Sequence, residues 1–416
     1  MKLLFVHQNM PGQYREMMAW LLEQDQGHEL AFLTQRKNFP APEGITKILY
    51  QPRHAPAQDA WGLSKVWEEA TGTGFGAVEA LARHQKETGF KPDLVIGHTG
   101  WGEMLFLKEL WPDVPVLGFF EYFYNMQGGS VGFDPEEPVS PHTPFLLKAR
   151  NATPYANLHC VDRLTAPTQW QADCFPPAFH DNMYVCHDGI RTDLLRPDPN
   201  VSLSLGRAGQ ITRDDEIFTY VARNMERMRG FHVFMRALPK ILAERPNARV
   251  LIIGGNDSSY GPKAKDKGGF RAELEKEVGT KIDWDRVHFL GQVPYSSFQQ
   301  VVQISRCHIY LTKPFVLSWS LLESMSMEAP IVASDVAPVR EAVTHGETGM
   351  LVDFFKPEAL AEQVVDVLAR PDAYEGMRKA ARAHVVKTYD FKTVCLPRHI
   401  AEMNALVPAS AGHIQI

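Results

Sequence analysis

Short apolar runs alternate with amphipathic stretches along most of the chain. Leu3 to Val6 reads as a buried strand, the Pro11-Gly12-Gln13 turn follows, and Tyr14 to Glu23 keeps helical spacing until Gly27-His28 breaks it before a second strand, Leu30 to Leu33. This is a βαβ unit. The pattern then predicts a helix over Val66 to His84, a strand over Leu94 to Ile96, a helix near Glu103 to Leu110 and a strand over Val114 to Phe119. Arg163 to Ala166 and Met183 to Cys186 are shorter strand candidates. Such alternation argues for a parallel sheet wrapped by helices.

The stretch Arg191 to Arg213 interrupts the pattern with Pro197, Pro199, Asn200, Gly206 and Gly209, and reads as a linker. Beyond it the alternation restarts, with strands expected at Ile217 to Ala222, Val250 to Ile253, Val287 to Leu290, Cys307 to Leu311, Ile331 to Ala333 and Met350 to Val352. Helices are expected at Phe231 to Ala243, Ser296 to Val302, Val339 to Val343, Pro357 to Leu368 and Ala373 to Val386. The fold class is therefore α/β, with two similar halves at about 1 to 200 and 210 to 388. Ligands of open α/β sheets lie at the C-terminal strand ends, so a cleft between the halves is the expected site.

One stretch concentrates chemistry. After the apolar run Cys307 to Leu311, Ser318 stands where it can cap a helix whose Leu321, Leu322, Met325 and Ala329 keep helical spacing up to Pro330. A helix start offers unpaired backbone N–H groups and a positive dipole end to an anion. Glu323, one turn in, can accept from a pair of hydroxyls. Together these groups suit a nucleoside diphosphate.

Composition narrows the class. The 416 residues are 44% hydrophobic and 22% charged, which describes a globular chain. A net charge of −6 with dispersed basic residues gives no general attraction to nucleic acid. Cys160, Cys174, Cys186, Cys307 and Cys395 stand far apart without metal-ligand spacing and read as free, mostly buried thiols of a reducing compartment. Leu3 to Val6 is too short an apolar run for a signal peptide, and no later run approaches a membrane span. The expectation is a cytoplasmic protein, compatible with peripheral contact at the inner face of the cytoplasmic membrane.

Several motifs occur in a familiar order. Ser318-x-x-Leu321 through Asp335, with Leu322-Glu323, Met325, Met327 and Pro330-Ile331-Val332-Ala333-Ser334, is followed by Arg340-Glu341 and Gly346-Glu347-Thr348-Gly349. Upstream stand Arg223-Asn224-Met225-Glu226-Arg227-Met228-Arg229-Gly230, Val6-His7-Gln8-Asn9-Met10-Pro11-Gly12, Gly118-Phe119-Phe120-Glu121-Tyr122 and Thr168-Gln169-Trp170-Gln171. Together they resemble the retaining glycosyltransferases of family 4, in a bacterial subgroup, over essentially the whole chain. The resemblance implies the GT-B fold, two Rossmann-like domains, with a last helix near Asp390 to Leu406 crossing back onto the first.

The resemblance also implies roles. Arg223 and Arg229 match the basic positions that grip the donor diphosphate, the second usually a lysine; Glu323 matches the glutamate that accepts from ribose hydroxyls; Ser320 and Leu321, after Ser318, match the helix start facing the phosphates. Gly12 matches the glycine turn near the donor, and Phe289-Leu290-Gly291 lies where the base is held. The implied activity is transfer of a hexose from a UDP- or GDP-linked sugar to a hydroxyl of a saccharide or lipid-linked saccharide, without cofactor or metal, after domain closure has excluded water. Two positions depart from the family. Its first glutamate would fall at Phe315, and its histidine after the strand Val114 to Leu117 is replaced by Phe120 or Glu121, which leaves Glu121 and His98 as candidate polar groups at the reaction centre. Phe315 motivates two readings, a changed donor sugar or a non-catalytic nucleotide-sugar binder, and an epimerase on the same scaffold is a further alternative.

The blander readings are a solvated helix carboxylate for Glu323, surface charges for Arg223 and Arg229, structural histidines for His7 and His98, and packing for the aromatics around Glu121. Gly72-Thr73-Gly74-Phe75-Gly76 has the wrong spacing for a dinucleotide loop and is expected to break or end a helix. Asp283-Trp284-Asp285 precedes a strand, which argues against a metal site and for a solvated loop.

Overall fold

The computed structural model describes residues 1–206, 209–261 and 263–416. The chain divides into two compact units, Met1–Gly189 with Phe391–Ile416, and Ile190–Asp390. In the first unit β1 (Lys2–Val6), β2 (Glu29–Thr34), β3 (Ile45–Leu49), β4 (Leu94–His98), β5 (Val116–Phe119), β6 (Arg163–Ala166) and β7 (Met183–Val185) form one sheet in the order β3-β2-β1-β4-β5-β6-β7. Every pairing is parallel. Leu3, Leu4, Phe5 and Val6 are each 0% exposed because successive side chains enter different packed layers, Leu3 and Phe5 on one face and Leu4 and Val6 on the other. The first of these layers includes Phe391, Leu396, Ile400 and Met403, so the helix Leu396–Leu406 closes one face of this sheet.

Two local expectations fail in this unit for tertiary reasons. The helix runs unbroken over Gly62–Thr88, with Gly72, Gly74 and Gly76 in its interior. A Cβ at Gly76 would lie 2.0 Å from the Gln51 carbonyl oxygen, and one at Gly72 2.3 Å from that of His54, so these glycines admit neighbouring backbone. The helix expected from Glu103 is confined to Leu107–Leu110. Strand β3 was missed because its buried residues, Ile45 and Ile48, are separated by Thr46 and Lys47 and give neither a continuous apolar run nor an alternation.

The second unit opens where Ile190 N–H donates to Tyr389 O at 2.7 Å and the Thr192 hydroxyl donates to the Asp390 carboxylate, so its entering and leaving segments lie side by side. The stretch read as a linker lies inside this unit, because β8 (Ser202–Ser204) and β9 (Gln210–Thr212) pair as an antiparallel hairpin. Arg207 and Ala208, which the reading also covered, lie outside the described residues. Then β10 (Ile217–Asn224), β11 (Arg249–Gly255), β12 (Val287–Gly291), β13 (Cys307–Tyr310), β14 (Ile331–Ser334) and β15 (Met350–Val352) form a parallel sheet ordered β12-β11-β10-β13-β14-β15. Among the described residues no helix is long and apolar enough to cross a membrane.

The helical glycines give a stability test. Gly76→Val forces its branched carbon into the Gln51 carbonyl and is expected to cost at least about 1–3 kcal/mol, read as a lower urea midpoint at unchanged slope.

Candidate functional site

In each sheet the strand order reverses once. In the second unit the reversal lies between β10 and β13, and the connections leaving those strands carry the residues singled out above. Arg223 is on the last turn of β10 and is exposed; Arg229 ends the short helical turn Arg227–Arg229. Arg229 Nη1 donates to Thr312 Oγ1 at 2.8 Å and to Val316 O at 3.2 Å, both just beyond β13. Its own carbonyl accepts from Tyr220 Oη at 2.6 Å, so backbone and side chain are both held. Gly230 follows at φ +65, where a Cβ would meet Leu311 Cβ at 2.6 Å.

Beyond β13 the helix Trp319–Ser326 begins. Ser318 occupies the cap position but makes no side-chain cap bond; its N–H donates to Tyr310 Oη at 2.9 Å and its hydroxyl meets Ser320 Oγ at 3.0 Å. The expected capping bond is therefore replaced by a hydroxyl pair at the helix start. Leu321 is 0% exposed, so only its backbone can face a ligand. Glu323 is buried and accepts from Tyr295 Oη at 2.6 Å. Leu290 and Gly291 end β12, Gly291 at φ +68, and the Arg271 guanidinium lies 3.8 Å over the neighbouring Phe289 ring. Phe315 is buried, with its ring 4.8 Å from that of Tyr260 and 5.9 Å from the Arg229 guanidinium. Asp283 accepts from Asp285 N–H and from Arg286 Nε, so that acidic pair braces the turn into β12.

In the first unit the reversal lies between β1 and β4. His7 follows β1, His98 ends β4, and the Trp101 ring stacks on His98 at 4.1 Å. Each imidazole accepts a backbone N–H at Nδ1, His7 from Asn9 and His98 from Gly100, both at 2.9 Å. A neutral ring so held carries its proton on Nε2. Burial first, and the neighbouring His98 second, push the His7 pKa well below the usual histidine range, so His7 is neutral at pH 7. Glu121 Oε2 lies 3.6 Å from His98 Nε2, and the Glu121 carbonyl accepts from Gln171 Nε2 at 2.6 Å, with Thr168 capping the helix that carries Gln171. Gly12 stands at φ +55, and a Cβ there would lie 2.7 Å from the His7 ring.

These two sites can be set beside known proteins. Residues 26–195 match the family described as Glycosyl transferase family 4 group, and residues 206–384 match Glycosyl transferases group 1. The chain belongs to the family 4 glycosyltransferases. Among solved structures, sucrose-phosphate synthase from Thermosynechococcus elongatus superposes with a TM-score of 0.71 at 17% identity, covering 96% of this chain and 98% of that one. HepE of Anabaena, solved with UDP-glucose, gives 0.68 at 16% identity over 97% of this chain and 98% of the other. Both show the GT-B fold. Among curated relatives, a D-inositol 3-phosphate glycosyltransferase of Thermobispora bispora is 24% identical over 55% of this chain and 52% of its own length. A phosphatidyl-myo-inositol mannosyltransferase of Mycobacterium leprae is 26% identical over 55% of each. The chain thus spans about half the length of the curated relatives it matches.

Two residues of this chain escaped sequence reasoning. Glu226, 0% exposed, accepts from Ser259 and Tyr260 N–H, each at 2.9 Å, and so fixes the loop after β11. Tyr260, on that loop, lies 3.4 Å from Arg223 Nη1. A charged residue inside a basic motif reads as surface, and nothing local marks Tyr260; only the fold brings them to the arginines.

A buried carboxyl in the first unit gives a pH test. Glu103 is 0% exposed, its Oε1 accepts from Tyr50 Oη at 2.5 Å, and its Oε2 has no hydrogen-bond partner among the described residues. Burial raises its pKa. The folded state then holds the proton more tightly than the unfolded chain, so ionisation costs stability as pH rises above the ordinary carboxylate value of about 4.3. Glu103→Gln keeps the acceptor and removes the charge. Its unfolding free energy relative to wild type should rise between pH 4 and pH 8, and a difference independent of pH would contradict the assignment.

Proposed function

We propose that the chain is a retaining glycosyltransferase that moves a hexose from a UDP- or GDP-linked donor to a hydroxyl of a saccharide or lipid-linked saccharide, in bacterial surface polysaccharide or glycolipid assembly on the cytoplasmic side. The observation that carries this reading is the convergence of Arg223, the clamped Arg229 and the start of the helix Trp319–Ser326 at the β10/β13 reversal. Guanidinium groups and a helix N-terminus both favour a diphosphate, and they favour it more as the sugar bond breaks and negative charge grows on the leaving group. In this reading the guanidiniums take up that charge without a metal ion, and no cofactor beyond the donor is needed. Glu323, oriented by Tyr295, accepts from the ribose hydroxyls, and the end of β12 at Leu290 and Gly291 holds the base. In the first unit His98, with Nε2 aimed toward Glu121, supplies polar groups for the reacting hydroxyl. The HepE structure with UDP-glucose and the relatives named for sugar transfer support this reading.

Calorimetry with UDP and GDP tests the donor half. Arg223→Ala, Arg229→Ala and Glu323→Ala should each weaken nucleotide binding by roughly 10- to 100-fold, the loss expected of a charged hydrogen-bonding group. Binding of neither nucleotide by the wild-type chain would sink the reading. His98→Ala and Glu121→Ala should reduce turnover while nucleotide binding is retained. Phe315 favours one second reading, a nucleotide-sugar binder, which predicts nucleotide binding with no transfer to any acceptor.

A further inference from the structure

The ring pair beside the two arginines bears on the donor sugar. Phe315 is 4% exposed and packs against Tyr260 with ring centroids 4.8 Å apart at 59°. At one side of the pair the Arg229 guanidinium lies 5.9 Å from the Phe315 ring; at the other, Tyr260 Oη lies 3.4 Å from Arg223 Nη1. The rings therefore span the space between the guanidiniums. Tyr260 is held in place, since Glu226 Oε2 accepts both loop N–H groups and Asn224 Nδ2 donates to Ser259 Oγ at 2.7 Å.

The anomeric carbon of a donor is one oxygen from the diphosphate. A sugar whose diphosphate is gripped by Arg223 and Arg229 is thereby brought to these rings. Of the carboxylates on the surrounding loops, Glu226 is 0% exposed with Oε2 on the loop amides, and Glu323 Oε1 accepts from Tyr295. A sugar hydroxyl pressed onto the ring faces loses its water and gains no acceptor there, the Tyr260 hydroxyl standing at the ring edge toward Arg223, whereas a methyl group gains apolar contact. Of the sugar carbons, C6 is the one that becomes a methyl when its hydroxyl is lost.

Resting on the donor reading above, we propose that this site takes a nucleotide-linked 6-deoxyhexose, with its methyl group seated on the Phe315–Tyr260 pair. Phe315 and Tyr260 are then the specificity-determining residues for the donor.

Matched donors test it, each pair sharing base and stereochemistry: UDP-6-deoxyglucose against UDP-glucose, GDP-rhamnose against GDP-mannose, and GDP-fucose against GDP-galactose of the same L series. Calorimetry on the full chain should give, for the pair that binds best, a 6-deoxy member tighter by on the order of tenfold or more. Phe315→Glu should collapse or invert that ratio, while Phe315→Leu keeps it above one. Because a buried glutamate can unfold the site, Tyr260→Ala on the half-buried loop serves as the second variant and should lower the ratio as well. A wild-type ratio at or below one in every pair, with nucleotide still bound, overturns the deoxy assignment and leaves the donor reading standing. Absence of binding by every nucleotide and every nucleotide sugar overturns both.

Discussion

An open parallel sheet has one place where neighbouring strands send their connections to opposite faces, and a crevice forms there without any side chain being removed. Both units depend on this constraint. In the second it falls between β10 and β13, so the residues at and beyond the end of β10, Arg223 to Gly230, meet those after β13, Thr312 to Ser320. In the first it falls between β1 and β4, and His7 and Gly12 meet His98 and Trp101. The two clusters carry different titratable side chains, arginines in one and histidines in the other, yet each arises from the same reversal. Position in the sheet is supplied by the fold, and the chemistry by what the loops carry.

What was legible in the chain follows from how far each signal reaches. β1, β2, β10 and β14 are short apolar runs bounded by polar residues, and buried parallel strands need no more than that. Arg223, Arg229 and Glu323 were visible because they follow such runs at fixed spacing. The helical glycines misled, since the backbone they admit, at Gln51 and His54, is close only after folding. The hairpin β8–β9 resembles a linker because its residues are polar and its strands have three residues each. Tyr260 and Glu226 were silent because their meaning lies in one carboxylate accepting two amides from a loop more than thirty residues away, at sequence separations of 33 and 34.

Two of the buried carboxylates show a common device. Burial raises the pKa of Glu103 and of Glu226, and each is held by donors from a distant segment, Tyr50 in one case and the loop amides in the other. A buried acid contributes little net stability, and losing one partner exposes the full cost of desolvation. Its effect is to fix geometry: Glu226 sets where Tyr260 stands relative to Arg223.

Arginine at position 229, where the family usually has lysine, fits the clamp for a related reason. A lysine ammonium has a single nitrogen, and committing it to Thr312 Oγ1 and Val316 O would leave it little to offer a phosphate. A guanidinium has three nitrogens with five N–H groups in a rigid plane. Arg229 can commit Nη1 to the protein, at 2.8 and 3.2 Å, and still present Nε and Nη2 in the fixed fork that matches two phosphate oxygens. The price in conformational freedom is met when the clamp forms, before any ligand arrives, so the plane of the fork is already set. The Phe315 ring 5.9 Å away reinforces that plane from one side, which ties the departure at 229 to the departure at 315. An ammonium in place of the guanidinium would keep an attraction to the ring and lose the plane of the fork.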